Sequence, residues 1–211
     1  MKKLFIYGAG GMGREIFELV NIVNRTEKKW DVMGYVDDGK TGITTEGDKI
    51  YGGFEYLKSL NEPFDVVIGI ADTKIKKLLV EKLCEINHVG FPTIIHPFSN
   101  VSEKCKIDRG CIVTYSCTVA TNAQLEEFVF MNIGSKVGHD TVIGKYSTLM
   151  PAVNISGCCS AGEGVLFGTN SSVIPGKKID DNAVVGAGSV IFRNVPEKVT
   201  VLGNPGKIFR F

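Results

Sequence analysis

The chain has 211 residues, enough for one large domain or two small ones, and 44% of them are hydrophobic against 22% charged. With 24 Lys and Arg against 23 Asp and Glu, the formal net charge is +1, which removes the usual reason to expect bulk nucleic acid or an acidic membrane as a partner. No apolar run approaches the roughly 20 residues needed to span a bilayer, and Met1-Lys2-Lys3 leads into a short strand instead of a signal peptide, so a soluble cytoplasmic protein is expected.

The first half alternates short apolar runs with helical periodicity. Leu4-Phe5-Ile6-Tyr7 reads as a buried strand, followed by Gly8-Ala9-Gly10-Gly11-Met12-Gly13, and then Met12, Ile16, Leu19, Val20 and Val23 recur at helical spacing. Val32 to Val36 is a second strand, ending at Asp37-Asp38, and Val66 to Ile70 is a third. Asp72 is placed to cap the next helix, whose apolar face would be Ile75, Leu78, Leu79, Leu83 and Ile86. Thr93-Ile94-Ile95 would close the half as a fourth strand, ended by His96-Pro97. This alternation argues for a small parallel sheet covered by helices over residues 1–96, roughly half a doubly wound domain. Gly8-x-Gly10-x-x-Gly13 between strand and helix is the context of a phosphate-binding turn, with Asp37 placed to accept from a ribose or base. Alone the motif would say NAD, but the unit is too small for a full dinucleotide site.

From Val101 the period changes to six. Val101, Ile107, Val113, Val119, Leu125, Met131, Val137, Ile143, Leu149, Ile155, Ala161, Phe167, Val173, Ile179, Val185 and Ile191 are all apolar. At 44% apolar composition such a run arises by chance roughly twice in a million trials. The next residue is Gly at 138, 144, 162, 168 and 186, which suits tight backbone turns. Four places on comes a small or modest side chain: Cys105, Cys111, Cys117, Ala123, Val129, Ser135, Thr141, Ser147. A hexapeptide repeat of this kind is the signature of a parallel β-helix over residues 97–211, in which the repeating apolar residue points to the coil axis.

The repeat also accounts for most of the cysteines. Cys105, Cys111, Cys117 and Cys159 occupy the small inward slot, where Cys behaves as a compact hydrophobe. None of the six, Cys84 and Cys158 included, lies in a C-x-x-C pair, and without an export signal disulfides are not expected. Of the three histidines, His88 reads as solvated and His96-Pro97 as a turn. His139 differs: two places after inward-facing Val137, its side chain should leave the coil wall near a turn.

The hexapeptide repeat, the closing Val201-Leu202-Gly203-Asn204-Pro205-Gly206-Lys207, the Gly-rich βαβ half and Gly138-His139-Asp140 together resemble the left-handed β-helix sugar O-/N-acetyltransferases. That family is typified by sialic-acid O-acetyltransferases and UDP-4-amino-sugar N-acetyltransferases, and the resemblance covers essentially the whole chain. It implies a half-Rossmann-like α/β domain followed by a left-handed coil with three hexads per turn. It further implies a homotrimer with active sites between subunits, acetyl-CoA as donor, and a sugar or nucleotide-sugar acceptor held by the first half. The left-handed sense, the three hexads per turn, the trimer and the shared active sites do not follow from periodicity alone.

Acyl transfer from a thioester needs a base of near-neutral pKa to take the acceptor's proton, and His139 matches the family's catalytic position. Asp140 resembles its acidic partner, but neighbouring side chains on a strand diverge, so Asp140 serves only if a turn intervenes. With about eighteen residues per coil, Gly157 stacks beside His139, and the resemblance places an oxyanion-binding N–H there, against the alternative of a structural turn. Asn132 matches an active-site asparagine. Thr148 stands where the family frequently has a second histidine, so its contact with the thioester is in question. For coenzyme A the resemblance points to Thr169, Ala187, Gly188, Gly203, Asn204, Pro205 and Lys207, with Lys177 and Lys178 less favoured. For the acceptor it points to Gly8, Gly10, Gly11, Gly13, Asp37, Asp38 and Asp72, against simple capping and surface roles for the three acids. No metal is expected. The competing readings are a β-helical scaffold that binds a nucleotide sugar without turnover, an NAD-dependent oxidoreductase, and a zinc enzyme like the γ-class carbonic anhydrases, which needs three histidine ligands. Whether the acceptor is an amine or a hydroxyl stays open.

Overall fold

Leu4, Phe5, Ile6 and Tyr7 are all buried within β1 (Lys2–Tyr7), as a run without alternation requires when both faces of a sheet are covered. In this computed structural model, which describes residues 1–209, the chain divides into two units: Met1–Ala71 with Ile75–Ile94, and Asp72–Lys74 with Ile95–Phe211. The first is built from β1, α1 (Gly11–Thr26), β2 (Trp30–Val36), β3 (Gly42–Ile43), β4 (Lys49–Ile50), α2 (Phe54–Lys58), β5 (Phe64–Ile68), α3 (Thr73–Leu83) and β6 (Val89–Gly90). Its sheet runs in the order β3-β4-β2-β1-β5-β6, parallel except for the β3–β4 hairpin. Helix α1 buries Gly13, Ile16, Leu19 and Val20.

Three first-half expectations shift. The second and third strands each begin two residues earlier than expected, at Trp30 and Phe64. The buried side of α3 is Lys76, Leu79, Val80 and Leu83, spaced i, i+3, i+4, i+7, while Ile75 and Leu78 are 54% and 66% exposed. The expected fourth strand, β7 (Ile94–Ile95), does not join this sheet; it is the first rung of the coil.

The coil consists of two-residue strands in three parallel sheets whose partners lie eighteen residues apart, as in Lys136↔Asn154, Gln124↔Val142 and Thr148↔Leu166. All the hexad apolar residues are buried except the first two, Val101 and Ile107, which are half-buried in the first coil. In the small slots Cys111, Cys117 and Cys159 are buried and Cys105 partly so. Three of the hydroxyls there are satisfied from the neighbouring coil: Ser135 Oγ, Thr141 Oγ1 and Ser147 Oγ donate to the carbonyls of Met150 (2.9 Å), Ser156 (2.9 Å) and Gly162 (3.0 Å). The antiparallel pair Thr200–Leu202 and Lys207–Phe209 ends the coil. Among the described residues no helix is long and apolar enough to cross a membrane.

The glycines that follow the inward residues do not make the turns. The left-handed backbone lies two places later, at Asp140 (φ 55), Tyr146 (φ 60) and Asn170 (φ 57). Gly138 is needed instead because a Cβ there would run into the backbone nitrogen of Gly157 on the next coil, and Gly144 faces the Gly162 carbonyl in the same way. Corner residues stack into edges. One edge carries Thr121-Asn122, His139-Asp140, Gly157-Cys158 and Pro175-Gly176, joined by Asp140 N–H to Thr121 O (3.1 Å), Cys158 N–H to His139 O (2.9 Å) and Gly176 N–H to Gly157 O (3.1 Å). A second carries Ile133-Gly134, Pro151-Ala152, Thr169-Asn170 and Ala187-Gly188, laddered likewise through Ala152 N–H to Ile133 O, Asn170 N–H to Pro151 O and Gly188 N–H to Thr169 O.

Candidate active site

His139 is the first residue of a corner, and its side chain is 60% exposed. The left-handed φ of Asp140 turns the next side chain back toward it, so Nδ1 of His139 lies 2.8 Å from Oδ2 of Asp140. The turn that Asp140 needed is therefore present. The other carboxylate oxygen, Oδ1, accepts from Asn122 Nδ2 at 3.0 Å, one coil away. Hydrogen bonds from Asn122 and then from His139 hold the Asp140 carboxyl below the usual carboxylate range. An acceptor at Nδ1 favours the tautomer with its proton there, leaving Nε2 a lone pair.

Gly157 lies directly beneath the ring. A Cβ at that position would sit 2.5 Å from Nε2 and 2.6 Å from Cε1 of His139, so only glycine leaves the imidazole where it is. Its φ lies outside the left-handed region, so within this turn the left-handed position falls to Cys158 and not to the glycine. Its carbonyl accepts from Gly176 N–H, whereas its own N–H has no hydrogen-bond partner among the described residues.

The remaining coil candidates lie elsewhere. Asn132 directly precedes the Ile133-Gly134 corner, is 8% exposed, and its Oδ1 accepts the Ile133 N–H at 2.7 Å. It therefore belongs to the second edge, with Thr169, Ala187 and Gly188. Gly203 to Pro205 continue that side of the coil, with Gly203 N–H donating to Ser189 Oγ at 3.0 Å. One chain thus brings together His139, Asp140 and Gly157, and separately Asn132 with the coenzyme candidates, one face of the prism apart. Thr148 opens a two-residue strand and is 0% exposed, so it offers no hydroxyl to a thioester on the surface. Lys207 lines a cleft of about 500 Å³ with Phe192, Arg193, Pro196 and Pro205 at the end of the coil. Lys178 is engaged by Asp180 at 2.8 Å.

In the first unit the four loop glycines separate into two kinds. Gly8 (φ +108) and Gly13 are packing residues: a Cβ on Gly8 would lie 2.9 Å from the Gly69 carbonyl oxygen, and one on Gly13 would collide with the Gly8 carbonyl. Gly10 and Gly11 face open space at the start of α1, where Gly10 supplies no side-chain cap and the first N–H groups are left without helical acceptors. Asp37 holds this loop, its Oδ2 accepting from Ala9 N–H (2.8 Å) and Oδ1 from Gly39 N–H (2.9 Å). Asp38 is occupied by Tyr7 Oη (2.6 Å) and Phe54 N–H (2.9 Å). Burial pushes the Asp38 carboxyl up, but those two donors outweigh it and hold it below its ordinary value, while burial and the same contact raise the Tyr7 phenol strongly. Asp72 Oδ1 caps α3 through Lys74 N–H (3.0 Å).

Beside the loop lies a cleft of about 420 Å³ lined by Ala9, Arg14, Lys40, Thr44 and Thr45, none singled out by the sequence reading except within the glycine motif. The segment Gly39-Lys40-Thr41-Gly42, directly after Asp38, was the available signal. His88 is not solvated as expected: its Nε2 lies 2.8 Å from the Leu60 carbonyl oxygen, and its ring meets Phe64 edge-on. His96 is buried, accepts Phe98 N–H on Nδ1 (3.0 Å), and stacks edge-on with Tyr115 at 5.1 Å.

Comparison with known proteins accords with this architecture. The PglD N-terminal domain family matches residues 3–83, and the hexapeptide repeat of succinyl-transferase matches residues 160–193. GDP-perosamine N-acetyltransferase of Escherichia coli is 31% identical over 201 residues, 94% of this chain and 81% of that protein. The acetyltransferase domain of PglB from Neisseria gonorrhoeae, solved with acetyl coenzyme A, matches with a TM-score of 0.91 at 27% identity over 99% of both chains. PerB from Caulobacter crescentus, solved with CoA and GDP-perosamine, gives a TM-score of 0.90 at 25% identity over 100% of this chain and 98% of that one. An N-terminal α/β unit, an eighteen-residue coil and a relative matched over nearly its whole length place this chain in the left-handed β-helix sugar acetyltransferase family, whose acetyl donor is acetyl-CoA.

Proposed function

We propose that the chain transfers the acetyl group of acetyl-CoA to the amino group of a nucleotide-linked amino sugar, with His139 as general base. The observation that carries this reading is the His139 ring lying over Gly157, oriented by Asp140 and beside an unpaired N–H. The acceptor amine gives a proton to Nε2 of His139 as its nitrogen attacks the thioester carbonyl carbon. The carbonyl oxygen becomes an oxyanion and takes the Gly157 N–H. Collapse of the tetrahedral species breaks the C–S bond, and the leaving CoA thiolate recovers the proton from the imidazolium. Asp140 fixes the tautomer and stabilises the charged ring.

The amine acceptor is supported by the Escherichia coli relative, which is named GDP-perosamine N-acetyltransferase. For the nucleotide, the open Gly10-Gly11 end of α1 together with Arg14 and Lys40 supplies backbone donors and two cations suited to a diphosphate. In this role Asp37 and Asp38 shape the loop, and Asp72 caps its helix, instead of touching the sugar. Because Asn132 and the coenzyme residues lie on a different edge from His139, a complete site forms when the second edge of one copy faces the first edge of another, as a cytoplasmic homotrimer with rotational symmetry provides. The NAD reading loses ground because the relative that matches 94% of this chain is named an N-acetyltransferase. The zinc-hydratase reading has no three-histidine set, His96 being buried against Tyr115.

Replacing His139 by Ala should lower kcat by about 10²–10⁴-fold with acetyl-CoA and a GDP- or UDP-linked amino sugar, at unchanged thermal stability. Undiminished turnover would remove the assignment. A wild-type protein that binds nucleotide sugar and never releases CoA thiol would establish the scaffold reading in its place.

A further inference from the structure

The acetyl-transfer chemistry leaves the thiol on the first edge without a role. Cys158 is exposed and takes the left-handed position of its corner (φ 58), one coil on from Asp140 (φ 55). Two residues eighteen apart with the same backbone conformation send their side chains off the edge in the same direction. The His139 ring, lying over Gly157 where no Cβ intervenes, reaches the same spot. A ring nitrogen of His139, a carboxylate oxygen of Asp140 and Sγ of Cys158 consequently all lie within 4.8 Å of one another, with all three residues exposed.

We propose that these three side chains form an inhibitory binding site for a zinc-class divalent cation. Imidazole nitrogen, carboxylate oxygen and thiolate sulfur are the donor types such ions take, and hard Mg²⁺ has no use for the last of them. Tetrahedral bonds of about 2.0–2.3 Å put ligand atoms roughly 3.3–3.8 Å apart, so small side-chain rotations bring the present cluster to that spacing. The backbone need not move, because the Cys158 N–H to His139 carbonyl bond (2.9 Å) already locks the two coils together. Binding displaces the thiol proton, occupies a lone pair of the imidazole and an oxygen of its carboxylate partner, and leaves a fourth position for water. The ion is thus no cofactor; it occupies the groups that the reaction needs. Its effect on turnover rests on the reading of His139 as the base, whereas the binding does not.

The test uses the chelator-treated, full-length protein in a Cys84→Ser background, which removes the other exposed thiol. Titration with Co²⁺ should give a saturating thiolate-to-metal charge-transfer band, one ion per chain, displaced by Zn²⁺ and missing in Cys158→Ser and Cys158→Ala. With chelator present both variants should turn over at the parental rate. With Zn²⁺ they should need at least about tenfold more metal for half-inhibition, since a zinc site that loses its thiolate loses its strongest donor. Absence of the band, its survival in both variants, or equal Zn²⁺ sensitivity of parent and variants overturns the proposal. A His139→Ala protein with full turnover would instead remove the base assignment while leaving the parental Co²⁺ band in place, so the two failures are distinguishable.

Discussion

A single methyl group at position 157 separates chemistry from folding. In Gly157→Ala the new Cβ would lie 2.5–2.8 Å from Nε2, Cε1 and Cδ2 of His139, where carbon contacts normally settle at about 3.5 Å or more. The ring must therefore retreat by roughly 1 Å, and it is free to do so because it is largely exposed. A displacement of that size draws Nδ1 away from Asp140 and Nε2 away from the thioester, and misplacement by about 1 Å costs on the order of 10²-fold in rate. The expected result is kcat/KM for the amino-sugar substrate lowered about a hundredfold, followed by release of CoA thiol, with the melting temperature within a degree or two of wild type. Wild-type activity would refute the claim that the ring position matters. A large loss of stability would show that the glycine serves the coil. Gly138→Ala is the control: its Cβ meets the Gly157 backbone, which cannot step aside, so stability should fall by about 1–3 kcal/mol.

Three further outcomes follow from the same geometry. If sites are shared between copies, His139→Ala and the edge-blocking Ala187→Trp, each inactive alone, should regain about one quarter of wild-type turnover when unfolded and refolded together in equal amounts; no recovery would place both edges' functions in one chain. His96 accepts the Phe98 N–H only while neutral, and burial lowers its pKa below 6.5. The unfolded chain therefore binds that proton more readily. The stability His96 contributes is present above about pH 6.5 and is lost as pH falls from there toward the folded value, so the melting temperature should drop more between about pH 7.5 and pH 5.5 in wild type than in His96→Gln. Equal drops would refute this. Among the described residues the buried Ser171 hydroxyl has no hydrogen-bond partner, whereas other rungs fill that slot with Ala, Val or Cys; Ser171→Ala should raise stability by about 1 kcal/mol in thermal or urea unfolding, and a loss would contradict the account.

The coil is legible in the sequence because its interior admits one kind of residue at one spacing, and each of the sixteen hexads reports on it independently. The strand at Ile94-Ile95 is misplaced by pattern alone because two apolar residues look alike as the last strand of one unit or the first rung of the next. In α3 the apolar residues Ile75 and Leu78 suggest the wrong face, while the buried arc runs through Lys76, whose aliphatic stem no hydropathy pattern marks as interior. Eighteen-residue stepping places Gly157 against His139. The same stepping puts Asn132, Thr169 and Ala187 in a different column, because none of them lies a whole number of coils from His139. The cationic cleft of Arg14 and Lys40 is hidden because its residues come from a helix and a loop whose meeting depends on the sheet order. The sequence shows the charge of Asp37 and Asp38 but not the Ala9, Gly39 and Phe54 N–H groups and the Tyr7 hydroxyl from which they accept.

The uniform coil also means that position along this chain is counted in two ways at once. Removing six residues from the middle of the solenoid would preserve the apolar interior, since every later hexad still matches its predecessor, yet would carry Gly157 to a different corner from His139. Removing eighteen would shorten the molecule by one layer and return each corner to its column. Length variation in such a scaffold is therefore tolerated by the core at every third part of a turn, and by an assembled reaction centre only at whole turns.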